Sequence, residues 1–141
     1  MDIGEHLAEH AVLGTKTFKK ASFGITLDGQ GGVITTGLKG QITIPYAGTI
    51  TGWEITSVNN TSGSIVIDLW KDTYANYPPT VADTITGSEK PTLSSATKNQ
   101  DLSLTTWGTG TSVSANDVIF FNVDSATLVT LIQLTIFITK S

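Results

Sequence analysis

Two segments near the end of the chain are apolar on both faces of a β-strand. Residues 117–123 and 127–139 are rich in Val, Leu, Ile and Phe at odd and even positions alike, although side chains along a strand point to alternate faces. In a two-layer sandwich a strand has one face on the core and the other in water, so both segments need a second cover. At about 25 cal/mol per Å², three exposed side chains of about 100 Å² each would forgo several kcal/mol.

Large apolar patches are rare on soluble monomers, so a solvated second face is disfavoured. The sequence leaves three covers open: the N-terminal segment, a long loop, or identical subunits around a symmetry axis. We expect self-association, with an interface formed by Phe121, Val129, Leu131 and Phe137.

The composition favours an all-β protein. Only 14% of the residues are charged, and the abundance of Thr, Ser and Gly over helix-favouring residues is typical of strands and turns. The 141 residues are sufficient for one core. We predict a jelly-roll-like antiparallel β-sandwich over residues 23–141, preceded by a short N-terminal arm over residues 1–22.

Local patterns place two further features in this sandwich. In the strand predicted over residues 49–58, Ile50 and Trp53 can both point inward if Gly52 forms a β-bulge. Residues 59–63 predict a turn, and we expect it to join this strand to the next one, residues 64–71, as a hairpin.

A long polar loop follows the strand over residues 64–71. Pro78 and Pro79 end the strand pairing because proline has no N–H to donate. The run WKDTYANYPPTVADTITGSEKPTLSSA, followed by KNQDLSLTTW and NVDSATLVT, resembles a β-sandwich domain of bacteriophage structural proteins, often attached to tail-fibre or collar-type proteins. The resemblance covers about residues 40–141. It implies a virion component rather than an enzyme, and it brings no catalytic residues with it.

Charge and composition argue against several other classes. The eight basic residues are all lysine and the net charge is −4, whereas nucleic-acid contacts usually rely on arginine and a basic patch. The absence of cysteine removes disulfides and thiolate metal sites. No secretory signal or membrane-length apolar run is recognisable, so we expect synthesis in the host cytoplasm.

The N-terminal arm has weak helical spacing followed by a basic stretch. His6 and His10 lie four residues apart in the predicted helix, a spacing that can bind a metal ion, but no third ligand is identifiable and solvent-exposed histidines are the preferred interpretation. We interpret the arm as a tether laid across a neighbouring subunit or an acidic capsid surface, with a frayed tail as the alternative. The residues expected to contact the partner are Ile3, Leu7, Lys16, Phe18, Lys19, Lys20 and Phe23.

Residues 64–77 contain the remaining candidate sites. Asp68 and Asp72 share a strand face with Trp70, but acids four residues apart on a strand are separated by about 13 Å, too far for glycoside hydrolysis. We expect an acidic, solvent-facing edge there. Trp70, Tyr74 and Tyr77 form an aromatic loop that either binds a sugar or protein partner or packs onto the sandwich.

The resemblance to phage structural proteins implies a virion component, and a short arm ahead of a compact oligomeric domain favours a capsid decoration, or cement, protein that stabilises the capsid shell. We expect a homotrimer on the virion surface bound to the major capsid protein, with no cofactor, metal, nucleic acid or membrane as partner and no enzymatic activity. The alternative is a tail-fibre or receptor-binding tip that recognises a host-surface glycan or protein through Tyr74 and Tyr77.

Overall fold

The computed structural model describes residues 19–141, and this part of the chain is a two-sheet antiparallel β-sandwich. The strands are β1 (Lys20–Asp28), β2 (Gly37–Ile44), β3 (Gly48–Ser57), β4 (Gly63–Thr73), β5 (Thr92–Ala96), β6 (Lys98–Asp101), β7 (Ser112–Val113), β8 (Asp117–Thr127) and β9 (Leu131–Lys140). One sheet has the order β1-β9-β3-β6, with β7 also paired to β3, and the other has the order β2-β8-β4-β5. The predicted fold class is confirmed.

Most connections carry the chain from one sheet to the other. The turn predicted over residues 59–63 is present, with Asn60 at a φ of 59°, but the predicted hairpin is wrong. It joins β3 in the five-stranded sheet to β4 in the four-stranded sheet. Strand β3 already has β9 on one side and β6 and β7 on the other, so it has no edge left for β4.

The core lies between the two sheets and is built from inward-facing branched side chains with two tryptophans. Its most buried members include Ile55, Ile65, Ile67, Leu69, Ile119, Phe121, Val123, Ile132, Leu134 and Ile136. The predicted bulge is confirmed, because the β3–β9 register shifts between Ile50 and Gly52 while Ile50 and Trp53 are both buried. A Cβ at Gly52 would lie 2.6 Å from the carbonyl oxygen of Asp101, so glycine is required there.

The sandwich begins slightly earlier than the sequence predicts. Strand β1 starts at Lys20, and residues 20–22 pair with residues 137–139 of β9. These three residues belong to the sheet and not to an arm. Within residues 19–141, no helix is long and apolar enough to cross a membrane.

Candidate functional site

The outer face of the four-stranded sheet is covered by the chain's own long loop, residues 74–91, here called the cover loop. Tyr77 lies across β8, with its ring edge-on to Phe120 at 5.7 Å between centroids and its hydroxyl donating to Gln41 of β2 at 2.9 Å. Phe120 and Val118, which make β8 apolar on its second face, are 5% and 1% exposed. A loop was one of the three covers that the sequence left open, so this face needs no second subunit.

The same loop also closes a free strand edge. Beyond residue 66, β4 has no partner strand on the side of β5, and the cover loop runs along it. Its backbone bonds are Ile67 N to Pro91 O at 2.9 Å and Ile85 N to Leu69 O at 3.0 Å. Pairing this edge removes a template for association with another strand.

A buried carboxylate fastens the cover loop to β4. Asp68 is 2% exposed and accepts hydrogen bonds from the hydroxyls of Thr84 and Thr86 at 2.6 and 2.7 Å and from Trp70 Nε1 at 3.1 Å. Lys90 Nζ lies 3.7 Å from Asp68 and 2.7 Å from Asp124. The hydrogen bond to Asp124 and the nearby Asp68 charge raise the pKa of Lys90, so the ammonium stays charged.

The prediction of an acidic, solvent-facing edge is therefore wrong for Asp68. Asp68 is buried and fully bonded, whereas Asp72 binds only its own loop, through the backbone N–H of Thr73 at 2.7 Å and Asn76 Nδ2 at 3.2 Å. The two carboxylates have different partners and do not form a joint site. Among the described residues, no group of three or more His, Asp or Glu side chains could hold a metal ion.

Glu89 is a second anchor of the cover loop, and sequence reasoning missed it. Its side chain accepts from the backbone N–H of Thr105 at 2.6 Å, from the backbone N–H of Thr106, and from the Thr106 hydroxyl at 2.8 Å. The hydrogen bonds from Thr106 and Thr105 lower the pKa of Glu89 to about 2. The backbone carbonyl oxygen of Glu89 accepts hydrogen bonds from Nε1 of both Trp53 and Trp107 at 3.1 Å. An acid in a Ser/Thr-rich loop gives no local sign of these partners.

The tip of the cover loop remains exposed. Tyr74 is 74% and Val81 is 65% exposed, while Tyr77 is 49% exposed because it rests on β8. Trp70, predicted as part of the same aromatic loop, is half-buried on β4 and donates to Asp68. Of the predicted receptor residues, Tyr74 is therefore the most exposed, Tyr77 keeps about half of its surface in solvent while it packs on Phe120, and Trp70 is half-buried.

A second candidate surface is an apolar groove of about 350 Å³ in the five-stranded sheet, here called the sheet groove. It is lined by Lys20, Ala21, Thr51, Gln100, Leu102, Phe137, Ile138 and Thr139. Phe137 is half-buried and Leu102 is 57% exposed. Strand β6 ends at Asp101, and the side chain of the next residue, Leu102, is exposed beside Phe137.

The predicted subunit interface does not form one surface. Phe121 and Val129 are 1% and 0% exposed inside the sandwich, so their assignment to an interface is wrong. Val129 precedes β9, and Leu128, at a φ of 70°, breaks the alternation that the sequence pattern assumed. Leu131 and Phe137 are half-buried on the outer face, where the polar Gln133 and Thr135 separate them.

The predicted partner contacts divide between the described and undescribed parts of the chain. Ile3, Leu7, Lys16 and Phe18, together with the histidine pair His6 and His10, lie outside the described residues. Lys19 and Lys20 are exposed at the start of β1. Phe23 is 8% exposed in the core, so its assignment as a partner contact is wrong: it faces inward opposite Ile136.

Comparison with known proteins adds no assignment. Neither a protein-family model nor a curated protein matches this chain.

Proposed function

We propose that this chain is a bacteriophage virion structural protein that decorates the capsid shell and stabilises it, acting as an oligomer. The main support for the proposal is that the segment resembling phage structural proteins holds the sandwich together. That segment supplies the cover loop, the partners of Asp68 and the Glu89 anchor. It is used to close and rigidify a sandwich, which is what a scaffold in a particle requires.

The charge distribution supports attachment through the N-terminal segment. Lys16, Lys19 and Lys20 lie within five positions of one another in the sequence, whereas the chain as a whole has a net charge of −4. A basic stretch over residues 16–20 on an acidic chain suits an acidic partner surface, such as that of a capsid protein, because complementary potentials steer association and set its orientation. Ile3, Leu7 and Phe18 would supply apolar contacts, while Phe23 is excluded by its burial.

A homotrimer remains the proposed assembly, with the outer face of the five-stranded sheet as its interface. Leu131 and Phe137 are the predicted interface residues that keep partial exposure there. Sedimentation equilibrium of the purified protein with Phe137→Asp, beside Val81→Asp as an exposed control on the cover loop, tests this assignment. Loss of the oligomer in the Phe137 variant alone would support the interface, and a monomeric wild-type protein would contradict it.

Deleting residues 1–18 tests the shell attachment. Since β1 starts at Lys20, this deletion spares the sheet. It removes Ile3, Leu7, Lys16 and Phe18 and keeps Lys19 and Lys20, so it tests the apolar contacts and Lys16. Shells lacking the protein are mixed with the full chain or the truncated chain, and bound protein is measured after sedimentation. We expect occupancy to fall at least tenfold at equal concentration. Full occupancy by the truncated chain would overturn attachment through this segment.

A second candidate function is host recognition by a tail-fibre or receptor-binding tip. The favouring observation is Tyr74, which is 74% exposed on a loop whose base is fixed by Tyr77 and Asp68. Host adsorption and glycan-array binding would be compared for Tyr74→Ala and for Val58→Ala, an exposed control. Loss of binding in the Tyr74 variant alone, on particles with intact shells, would favour recognition and defeat the decoration proposal.

A further inference from the structure

Strand β1 is an edge of the five-stranded sheet, and within residues 19–141 no strand pairs with its other side. It is nine residues long and pairs with β9 from Lys20 to Asp28 without a register shift. The other edge strands of the described sandwich are shorter or irregular: β6 and β7 have four and two residues, and the pairings of β2 and β5 with their neighbours are interrupted. A long, regular edge is a template for pairing with another strand.

Every second residue of β1 directs its backbone groups towards this free edge. At the two ends of the strand, Lys19 O accepts from the backbone N–H of Lys140, and the backbone N–H of Gly29 donates to Thr130 O, both at 2.7 Å. Backbone groups in an antiparallel pair alternate between the two edges of a strand, so the odd-numbered residues of β1 bond to β9. The N–H and C=O groups that face away from β9 therefore belong to Lys20, Ser22, Gly24, Thr26 and Asp28.

The charges at the two ends of β1 match those of the same strand running in the opposite direction. Lys20 begins the strand and Asp28 ends it, and both are exposed. At about 3.3 Å per residue they are about 26 Å apart, too far for an ion pair within one chain. In a second copy laid antiparallel with Gly24 opposite its counterpart, each Lys20 lies opposite Asp28 of the other copy. A shift by two residues would lose both ion pairs, so the charges select this register.

The residues between the two charges also fit this register. On the outer face Ser22 lies opposite Thr26, and Gly24 meets its counterpart without a side chain at the axis. On the inner face the odd-numbered residues of β1 are all apolar, and two of them, Ala21 and Ile25, are half-buried. Pairing would cover the apolar area that these two side chains leave in water in a single chain.

We propose that β1 pairs with β1 of a second copy of this chain, antiparallel and about a two-fold axis through Gly24. The two five-stranded sheets then form one continuous sheet across the axis. In this register the even-numbered residues form the hydrogen-bonded pairs, so the backbone groups that face the free edge all find partners. The contact goes beyond the proposed function, because it uses the edge of the sheet and not the outer face assigned to the trimer.

Reversing one charge at a time tests the register. Lys20→Asp and Asp28→Lys each place like charges opposite each other twice, so the dissociation constant measured by sedimentation equilibrium should rise about tenfold or more for each variant alone. An equimolar mixture of the two variants restores two pairs of opposite charge and should associate as the wild type does. Lys98→Asp makes the same charge change on an exposed lysine of β6 and should leave association unchanged. A mixture that stays dissociated, or an equal effect of Lys98→Asp, would refute the register.

The oligomeric state of the wild type separates this contact from the proposed trimer. A dimer, or a hexamer built from trimers, would support the pairing of β1 strands. A trimer with no larger species would overturn the pairing and leave the trimer proposal intact.

Amide hydrogen exchange, measured for each residue by NMR, identifies the edge itself. In the associated wild type the amides of Ser22, Gly24 and Thr26 should be protected, and in Asp28→Lys they should exchange about tenfold faster or more. The amides of Phe23 and Ile25, which face β9, should stay protected in both proteins and report an intact sheet. Fast exchange of the even-numbered amides in the associated wild type would overturn the proposal. Protection of the same amides in a dilute monomer would also overturn it, because the edge would then be covered within one chain.

Discussion

Replacing Asp68 with alanine should destabilise the sandwich by about 3–5 kcal/mol, the range for removing one partner of a buried charged network. The carboxylate is 2% exposed and accepts three hydrogen bonds of 2.6 to 3.1 Å. Each hydrogen bond to a charged group contributes about 1.5–3 kcal/mol. Their sum is an upper bound, because the hydroxyls of Thr84 and Thr86 lie 3.3 Å apart and can bond to each other. The loss is large beside a typical domain stability of about 5–15 kcal/mol.

Urea unfolding followed by tryptophan fluorescence measures this loss. Asp72→Ala is the matched control, on the same strand and four residues away, and should change stability by less than about 1 kcal/mol because Asp72 bonds only its own exposed loop. Asp68→Asn keeps the side-chain shape and should fall between the two. Limited proteolysis of Asp68→Ala should cut within the cover loop. If Asp68→Ala unfolds at the same urea concentration as Asp72→Ala, the carboxylate does not fasten the loop.

Three further predictions concern the anchors and the loop tip. The pKa of Glu89 in the folded protein, about 2, lies below its ordinary value of 4.5, so its contribution to stability is present above pH 4.5 and is lost as the pH falls towards 2. When acid unfolding is followed by circular dichroism, the Glu89→Gln variant should lack this pH-dependent loss of stability. An acid-unfolding profile identical to that of the wild type would contradict the assignment. Gly52→Ala should lower the melting temperature by several degrees, because its Cβ would lie 2.6 Å from a carbonyl oxygen; an unchanged melting temperature would show that the bulge tolerates a side chain. Tyr77→Ala should destabilise the protein by about 1–2 kcal/mol through loss of its ring contact with Phe120 and its hydrogen bond to Gln41. Tyr74→Ala should leave the stability measured by urea unfolding unchanged. Equal effects of the two substitutions would contradict the different burial of the two tyrosines.

The sequence predicted the features that depend on neighbouring residues. Alternation and composition gave the all-β class, Gly52 gave the bulge, and the two prolines placed a long loop after β4. The two-sided apolar pattern of β8 correctly required a second cover. Each of these follows from the period of two along a strand or from the backbone limits of glycine and proline.

Only the tertiary structure determined which part of the chain covers each face of the two sheets. A cover loop, the exclusion of Phe121 and Val129 from any interface, and the burial of Asp68 all depend on contacts between residues far apart in the chain. Sequence alternation assigns two faces to a strand but cannot say which neighbour will lie on each. Likewise, no sequence pattern pairs Glu89 with Thr106 or Leu102 with Phe137, and only folding brings these residues together. These partners are determined by strand pairing between residues far apart in the chain, which local sequence patterns do not specify.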